Sequence, residues 1–521
     1  MATFRLIAGI ATLAVLIVIQ GIRERLRLKA IMPPGPKLAW LGLGDNKGEM
    51  PRREAWKTFA KWHAQYGPVV SVIVGPTRII VLGTVKAASD LLEKRSNIYS
   101  SRPREIVSGE IYSGSMRGIG MPYGQRWRNW RSLIHAGFST ESAKKYKPQQ
   151  SLEARITLKD LMDERDSNQV LGLVRRFSIS VLTNVSYGRR VKTLQDKIVL
   201  ENSEIDNYLF KELSGRSIVE DWPILLYLPK WLQWFRWEPE RMRRRDTKVY
   251  MNLLNDVEKR IANGSAKFSV AARGLQKQQD WGLNKLELAY ACSAPWQAGV
   301  SATSYAILNF LVAMLLNPEV LRKAQEEIDR VVGRTRQPDF GDMESLPYID
   351  ALCKEVLRWR PIGPLGVAHS NIVEDVYEGM YIPAGSKVYA NIELMSKDPV
   401  AYPNPEEFRP ERWLGPDPAP AFPGAFGFGR RQCPGKHIAL NAILIVVVKL
   451  TWAFDIHPRI DITTGNPIVP DPDDLVGEII RGPRDVPCTF HVRGNPEQTR
   501  AVILAEAEAA EIEALEFNVD A

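Results

Sequence analysis

Residues 426–435, FGFGRRQCPG, constrain this chain more than any other stretch. They set one cysteine, Cys433, between a glycine-rich turn and an apolar run at 440–450 that reads as a buried helix. A thiolate in that place lies near backbone N–H groups and the positive end of a helix, which lower its pKa and keep it available as a metal ligand. Gly427, Gly429 and Gly435 remove side chains that would hold the backbone away from a flat ligand. Arg431 can offer a forked pair of hydrogen bonds to a carboxylate. An arbitrary lone cysteine is more often a small buried hydrophobe, so the pattern around Cys433 carries the argument, not the thiol itself.

The remaining cysteines, Cys292, Cys353 and Cys488, are scattered and form no C-x-x-C pair. That argues against a disulfide framework and a structural zinc site, and points to a reducing compartment for the folded body. The 521 residues suffice for a large core and for more than one domain, and 45% hydrophobic with 25% charged residues is a globular composition. The net charge of +9 is spread along the chain with no recognition motif. It fits an anionic membrane surface or an acidic protein partner, and nucleic acid is set aside.

Residues 6–19, LIAGIATLAVLIVI, carry no charge, and Arg23, Arg25, Arg27 and Lys29 follow closely. A cleaved signal has its positive charge before the apolar run, whereas here the basic cluster comes after it, with only Arg5 in front. The expectation is an uncleaved anchor over 1–22, short for a span, with its start in the lumen and the rest of the chain in the cytosol. A basic and proline-rich hinge over 23–36, ending in Met32-Pro33-Pro34-Gly35-Pro36, reads as a rigid spacer.

Beyond it, residues 67–84 alternate apolar and β-branched positions around Gly75-Pro76 and predict a hairpin. Helical periodicity dominates from about 85 to 360, strands return around 376–388 and again around 479–492, and 284–317 reads as a long helix crossing the core. The expected class is mainly α with small peripheral β-sheets, the catalytic body spanning 37–495. The tail 496–521 is rich in Ala and Glu and is expected to be a solvated, exposed helix.

The spacing Phe426-x-x-Gly429-x-Arg431-x-Cys433-x-Gly435 resembles the haem-binding loop of the cytochrome P-450 family, where such a cysteine is the axial thiolate to iron. The resemblance extends over roughly 30–495 and implies the family's triangular prism fold. It implies haem b, with Arg431, Trp127 and Arg131 (in GQRWRNWRSLIHAGFS) directed at its propionates, and Phe426 and Gly435 in the binding loop. Glu355 and Arg358, three apart on one helix face, resemble the family's E-x-x-R pair, with Arg412 of FRPERW as the third, structural partner. The hinge prolines match those of microsomal members, which implies an endoplasmic reticulum membrane. Electrons would come from NADPH through a separate reductase. The stretches LRWRPIGPLGVAHS and YPNPEEFRPERW resemble fungal members that tailor secondary metabolites, so the implied reaction inserts one oxygen atom from O2 into a lipophile such as a terpenoid.

One departure bears on mechanism. Ala298-Gly299 opens the family's A-G-x-D/E-T-T element, but Ser301 stands where the acid is usual and Ala302 where the proton-delivering threonine is usual. Thr303 is one residue on, about 100° around the helix, and Pro295 upstream removes a backbone hydrogen bond and is expected to kink the helix. Three accounts are open: Ser301 and ordered water relay protons, a substrate hydroxyl does so, or the reaction needs no such delivery. The last keeps alive a haem-thiolate isomerase or dehydratase that consumes no O2. A non-catalytic haem protein is the third class, opposed by the anchor and by an apolar pocket.

By the same resemblance, 105–120, 296–303, 362–367 and, more weakly, 477–480 line the distal pocket, mostly with small or apolar residues. The segment 222–237, WPILLYLPKWLQWFRW, fits a core element, a proline-bounded loop, or a stretch at the membrane interface, where tryptophan is favoured.

Overall fold

The computed structural model describes residues 19–517, apart from 21–22, 24–26, 28, 30, 40–44, 52, 165–168 and 216. The expected anchor over 1–22 lies almost entirely outside the described residues, as does the end of the tail, 518–521. The chain divides into two compact units, one made of Met1–Pro103, Leu365–Met395 and Phe428–Arg431, the other of Arg104–Pro364, Ser396–Gly427 and Gln432–Ala521.

The first unit is built on a four-stranded sheet covered by helix α1 (Ala55–Tyr66). Strands β1 (Val69–Val74) and β2 (Thr77–Leu82) form the expected hairpin, Val74 opposite Thr77 across Gly75-Pro76. Gly75 sits at φ +56°, where glycine has no steric penalty, and its N–H donates to the Asp45 carboxylate at 2.7 Å. Strand β3 (His369–Ser370), the short ribbon of β4 (Asp375–Tyr377) and β5 (Met380–Ile382), and β6 (Lys387–Ala390) follow. β6 runs parallel to β2 and antiparallel to β3, so the sheet order is β1-β2-β6-β3. Phe59 of α1 packs on Val70, Val72, Val74, Ile79 and Val81.

The proline hinge is not a free spacer. Met32, Pro33 and Pro36 are buried, the Pro34 carbonyl accepts from the Ser71 N–H at 2.9 Å, and Lys29 Nζ donates to Ser71 Oγ at 2.9 Å. A Cβ on Gly35 would fall 2.0 Å from the Ser71 oxygen. The prolines that fix φ here pre-shape a strap laid on β1.

The second unit is helical. Its main helices are α2 (Gln125–Phe138), α3 (Lys147–Asp163), α4 (Val170–Tyr187), α5 (Lys197–Ser214), α6 (Trp237–Ala262), α7 (Lys285–Leu316), α8 (Pro318–Val331), α9 (Pro347–Trp359), α10 (Lys436–Ala453) and α11 (Pro496–Phe517). Two ribbons join them, β7 (Phe454–Pro458) with β10 (Cys488–Val492), and β8 (Leu475–Val476) with β9 (Gly482–Pro483). α7 and α10 are apolar all round, which suits a helix surrounded by others. Both are long and apolar enough to cross a membrane, but both are buried in the core of this unit.

α7 starts at a capping box: Asn284 accepts from the Glu287 N–H at 2.9 Å, and Glu287 accepts from the Asn284 N–H at 3.1 Å. Pro295 has no N–H to give back to the helix, yet α7 runs on to Leu316. Neighbouring side chains take up its backbone groups, Ser186 Oγ accepting from the Trp296 N–H at 3.1 Å and Asn202 Nδ2 donating to the Trp296 carbonyl at 3.2 Å. One expectation is corrected here. The tail is not a solvated appendage, because Ala510 and Ala514 of α11 are buried against Leu152 and Ile156 of α3, and Arg155 grips Glu513 with two hydrogen bonds at 3.1 and 2.6 Å. Of the three alternatives for 222–237, the fully buried one is set aside: its three short 3-10 turns leave Trp222, Tyr227, Trp231 and Trp234 exposed, while Phe235 packs into a small apolar cluster with Leu225 and Leu226.

Candidate functional site

Cys433 lies two residues before the Gly435 cap of α10, and its N–H donates to the Phe426 carbonyl at 2.8 Å, closing the loop. Of the four thiols it alone is accessible to solvent. Protein nevertheless crowds the sulfur. Burial pushes its pKa up, opposed by a hydrogen bond from the Gly435 backbone and by the Arg131 guanidinium. The expected lowering at the helix start is thus present but outweighed by desolvation. Bound iron would reverse that balance, because a coordinating thiol is deprotonated outright.

A Cβ on Gly429, at φ +57°, would meet the Leu92 carbonyl oxygen at 2.0 Å, so this glycine lets two backbones touch. A Cβ on Gly435 would make only ordinary contacts, at 3.5 Å to Phe138 and 3.8 Å to the Cys433 sulfur. Phe426 ends a short 3-10 turn and is half-buried.

In the first unit, Arg431 Nε donates to the Ser100 carbonyl at 2.7 Å. Arg102 donates to the carbonyls of Val367 and Ala368 at 2.8 and 2.7 Å, and His369 Nδ1 is 2.9 Å from the Tyr99 carbonyl. Burial pulls Arg102 down to about 9. Burial, then the charges of Arg102 and Arg431, hold His369 down to about 3. Two half-buried cations lie about one buried imidazole, a donor set suited to a group with more than one carboxylate. The sequence alone assigns no role to Arg102, which stands in no motif, or to His369, which lies inside LRWRPIGPLGVAHS without a chemical partner nearby in the chain.

In the second unit, Trp127 and Arg131 are four apart on one face of α2, Trp127 buried and Arg131 donating to the Gln432 carbonyl at 2.9 Å. That bond ties α2 to the residue next to Cys433. Within this unit the residues present fit haem: an accessible sulfur as a soft ligand for iron and, in Arg131, a half-buried cation for a propionate.

Glu355, Arg358 and Arg412 lie together, all buried. Glu355 accepts from Arg358 at 2.7 and 2.9 Å, from Arg412 Nε at 3.0 Å, from the Arg409 N–H at 3.0 Å and from Trp413 Nε1 at 3.0 Å. Arg358 also donates to the carbonyls of Ser396 and Pro405. Every oxygen of the buried carboxylate is satisfied, which is the condition under which such a charge is tolerated. The cluster pins the segment 396–413 and touches no catalytic group.

On α7, Thr303 is buried while Ser301 and Ala302 are half-buried. Ser301 and Tyr305, one turn apart, wall a cavity of about 150 Å³ with Arg175 of α4, Asp206, Asn207 and Phe210 of α5, and 477–480. The loop 477–480 reaches α7 because a Cβ on Gly482 would stand 2.1 Å from the Tyr305 ring, a contact only glycine permits. The Arg481 N–H donates to the Ile362 carbonyl at 2.8 Å, so 362 is held at this loop without walling the cavity. Of the four stretches expected to line a pocket, the cavity takes in α7 and the weaker candidate 477–480. Its wall is half polar, not mainly apolar. The stretch 105–120 is instead anchored by Arg117, which donates to Gln297 of α7, to Asp246 at 3.1 Å, to Tyr250 at 2.9 Å and to Tyr112 at 3.1 Å.

The Cytochrome P450 family profile matches residues 33–467. Cytochrome P450 monooxygenase 58 of Postia placenta is 36% identical over 460 residues, covering 86% of each chain. Cytochrome P450 monooxygenase aneD of Aspergillus aculeatus is 34% identical and covers 97% of this chain and 96% of its own. Cytochrome P450 monooxygenase peniB of Penicillium patulum is 35% identical, covering 89% and 85%. With the matched span containing the Cys433 loop, the Glu355 cluster and α7, this chain belongs to the cytochrome P450 family and is an oxidoreductase of the monooxygenase kind.

Proposed function

We propose that this chain is a membrane-anchored haem-thiolate enzyme of fungal secondary metabolism, in which Cys433 ligates the iron of haem b and Arg431, Trp127 and Arg131 receive its propionates. It oxidises a small molecule with a lipophilic body, such as a terpenoid, using electrons from NADPH passed on by a separate reductase. The observation that carries this reading is the thiol of Cys433, accessible though crowded by protein at the start of α10. Bound haem supplies O2 activation, and the thiolate donates electron density to it. The chain's residues do the rest. Arg131 holds the loop beside Cys433, the Glu355 cluster fixes the segment before it, and Ser301 offers a hydroxyl for moving protons on the distal face of α7.

Anchoring at the endoplasmic reticulum is supported by the exposed aromatic turns at 222–237, where Tyr227 is 90% and Trp231 72% exposed. Large apolar groups left in water suit a lipid interface, where amphipathic rings are favoured. The absence of an acid at 301 and a threonine at 302 favours, as a second reading, a haem-thiolate isomerase or dehydratase. Turnover without NADPH and reductase would decide for it.

The test is Cys433→Ala in the full chain. The reduced, carbon-monoxide-bound absorption band of thiolate ligation should vanish in the variant, and its persistence would place the bond elsewhere. Comparison of metabolites between a deletion strain and its parent then identifies the accumulating substrate.

A further inference from the structure

Asp206 belongs to the wall of the cavity beside Ser301, and both its carboxyl oxygens are buried with no hydrogen-bond partner among the described residues. It is 3% exposed, on the inward face of α5. A buried acceptor without a donor is expensive to maintain, so a partner entering from the cavity is the economical resolution. Opposite it stands a donor, Arg175 of α4, whose Nη2 reaches Ser203 Oγ at 3.0 Å. Asn207, Ser301 and Tyr305 complete the polar side, with Phe210, Ile479 and Ile480 on the apolar side.

The charges facing Asp206 come from several elements. Arg175 and Arg117 favour its ionised form, while Asp246 of α6 and burial oppose it, and burial dominates, pushing its carboxyl up to about 8. A ligand cation would meet the field of two arginines, and a ligand carboxylate would meet Asp206 and Glu478. A neutral head that donates from one atom and accepts on the next satisfies both walls. At about 150 Å³ the space suits a head group and not a whole substrate of drug-like size.

We infer that this cavity is a subsite for an amide or lactam of the substrate, its N–H given to Asp206 and its carbonyl accepting from Arg175. The inference rests on the proposal that the Ser301 face of α7 borders the substrate, and it adds a polar anchor to the lipophilic body argued above. Asp206 is here a specificity residue, taking no part in the oxidation.

The probes are decanamide and N,N-dimethyldecanamide, which differ in the N–H. Each is titrated into the full-length holoenzyme, with binding read by the haem spectrum and independently by calorimetry. Wild type should hold decanamide at least about tenfold more tightly, the scale of one buried hydrogen bond. Asp206→Asn, which keeps an acceptor oxygen, should retain most of that preference, and Asp206→Leu should reduce it to within about twofold. A preference that survives Asp206→Leu would show steric exclusion of the methyl groups and overturn the assignment. Equal binding by wild type, or no heat from either probe, overturns it too. If that happens while the carbon-monoxide band is intact, the subsite alone fails. If the band is missing in wild type, the haem-thiolate reading fails with it.

Discussion

Ser301 and Ala302 are where single side chains decide most about the chemistry. Ser301, with Tyr305 one turn on, brings a hydroxyl of α7 to the cavity wall, whereas Thr303 is buried and is not part of that wall. The amount of product formed per NADPH consumed should therefore fall several-fold in Ser301→Ala, with peroxide rising, and should hold or rise in Ala302→Thr. Unchanged coupling in Ser301→Ala would remove the serine from proton delivery. Asp206 gives a prediction that needs no turnover. Its folded pKa is raised to about 8 against an unfolded value near 3.9, so the native state holds the proton more tightly. Relative to Asp206→Asn, wild type should be most stable below about pH 4 and should lose up to about 1.4 kcal/mol per pH unit as pH rises towards 8. Denaturant melts of both proteins across that range check the sign. Cys433, Arg431, Glu355 and Arg358 were legible in the sequence because their spacing is a pattern. Asp206, Arg102 and His369 were not, because each owes its role to residues far away in the chain.

At the level of elements, α7 shows why periodicity worked and where it stopped. Its ends were legible from Asn284 and Asn317, the capping residues, and its length from an unbroken apolar run. The sequence reading expected a kink at Pro295. It had no access to Ser186 and Asn202, which come from α4 and α5 to occupy the Trp296 N–H and carbonyl. Gly299 has a similar origin: a Cβ there would sit 2.7 Å from Leu182 Cδ1, so the glycine sets how closely α4 and α7 pack. Composition leaves the setting of the tail open, because Ala and Glu favour helix in solution as well as on a protein. Its small alanines, spaced to lie flat on α3, were the overlooked clue. Deleting 496–521 uncovers Leu152 and Ile156 and frees Arg155, and should lower the melting temperature by several degrees, about 1–3 kcal/mol. An unchanged melting curve would return the tail to the status of an ornament.

For the molecule as a whole, the helix-rich class with small sheets followed from hydrophobic period, and the family from a handful of spaced residues in the Cys433 loop. What remained hidden was the polarity of the space beside α7, since Arg175, Asp206, Tyr305 and Glu478 are brought together from four separated segments. The hinge was hidden for the same reason, its contacts being with β1 and not with its own neighbours. Anyone trimming the proposed anchor at the start of the chain should heed this. A chain begun after Pro36 forfeits the Pro34 carbonyl bond to Ser71 and the Lys29 contact, and leaves the outer strand bare. It is expected to precipitate or to yield less folded, haem-loaded material than one begun just ahead of Lys29, a comparison that soluble yield and the 280 nm-normalised haem absorbance would settle. The eight residues 29–36 would then be the difference between a preparation that can be crystallised and one that cannot.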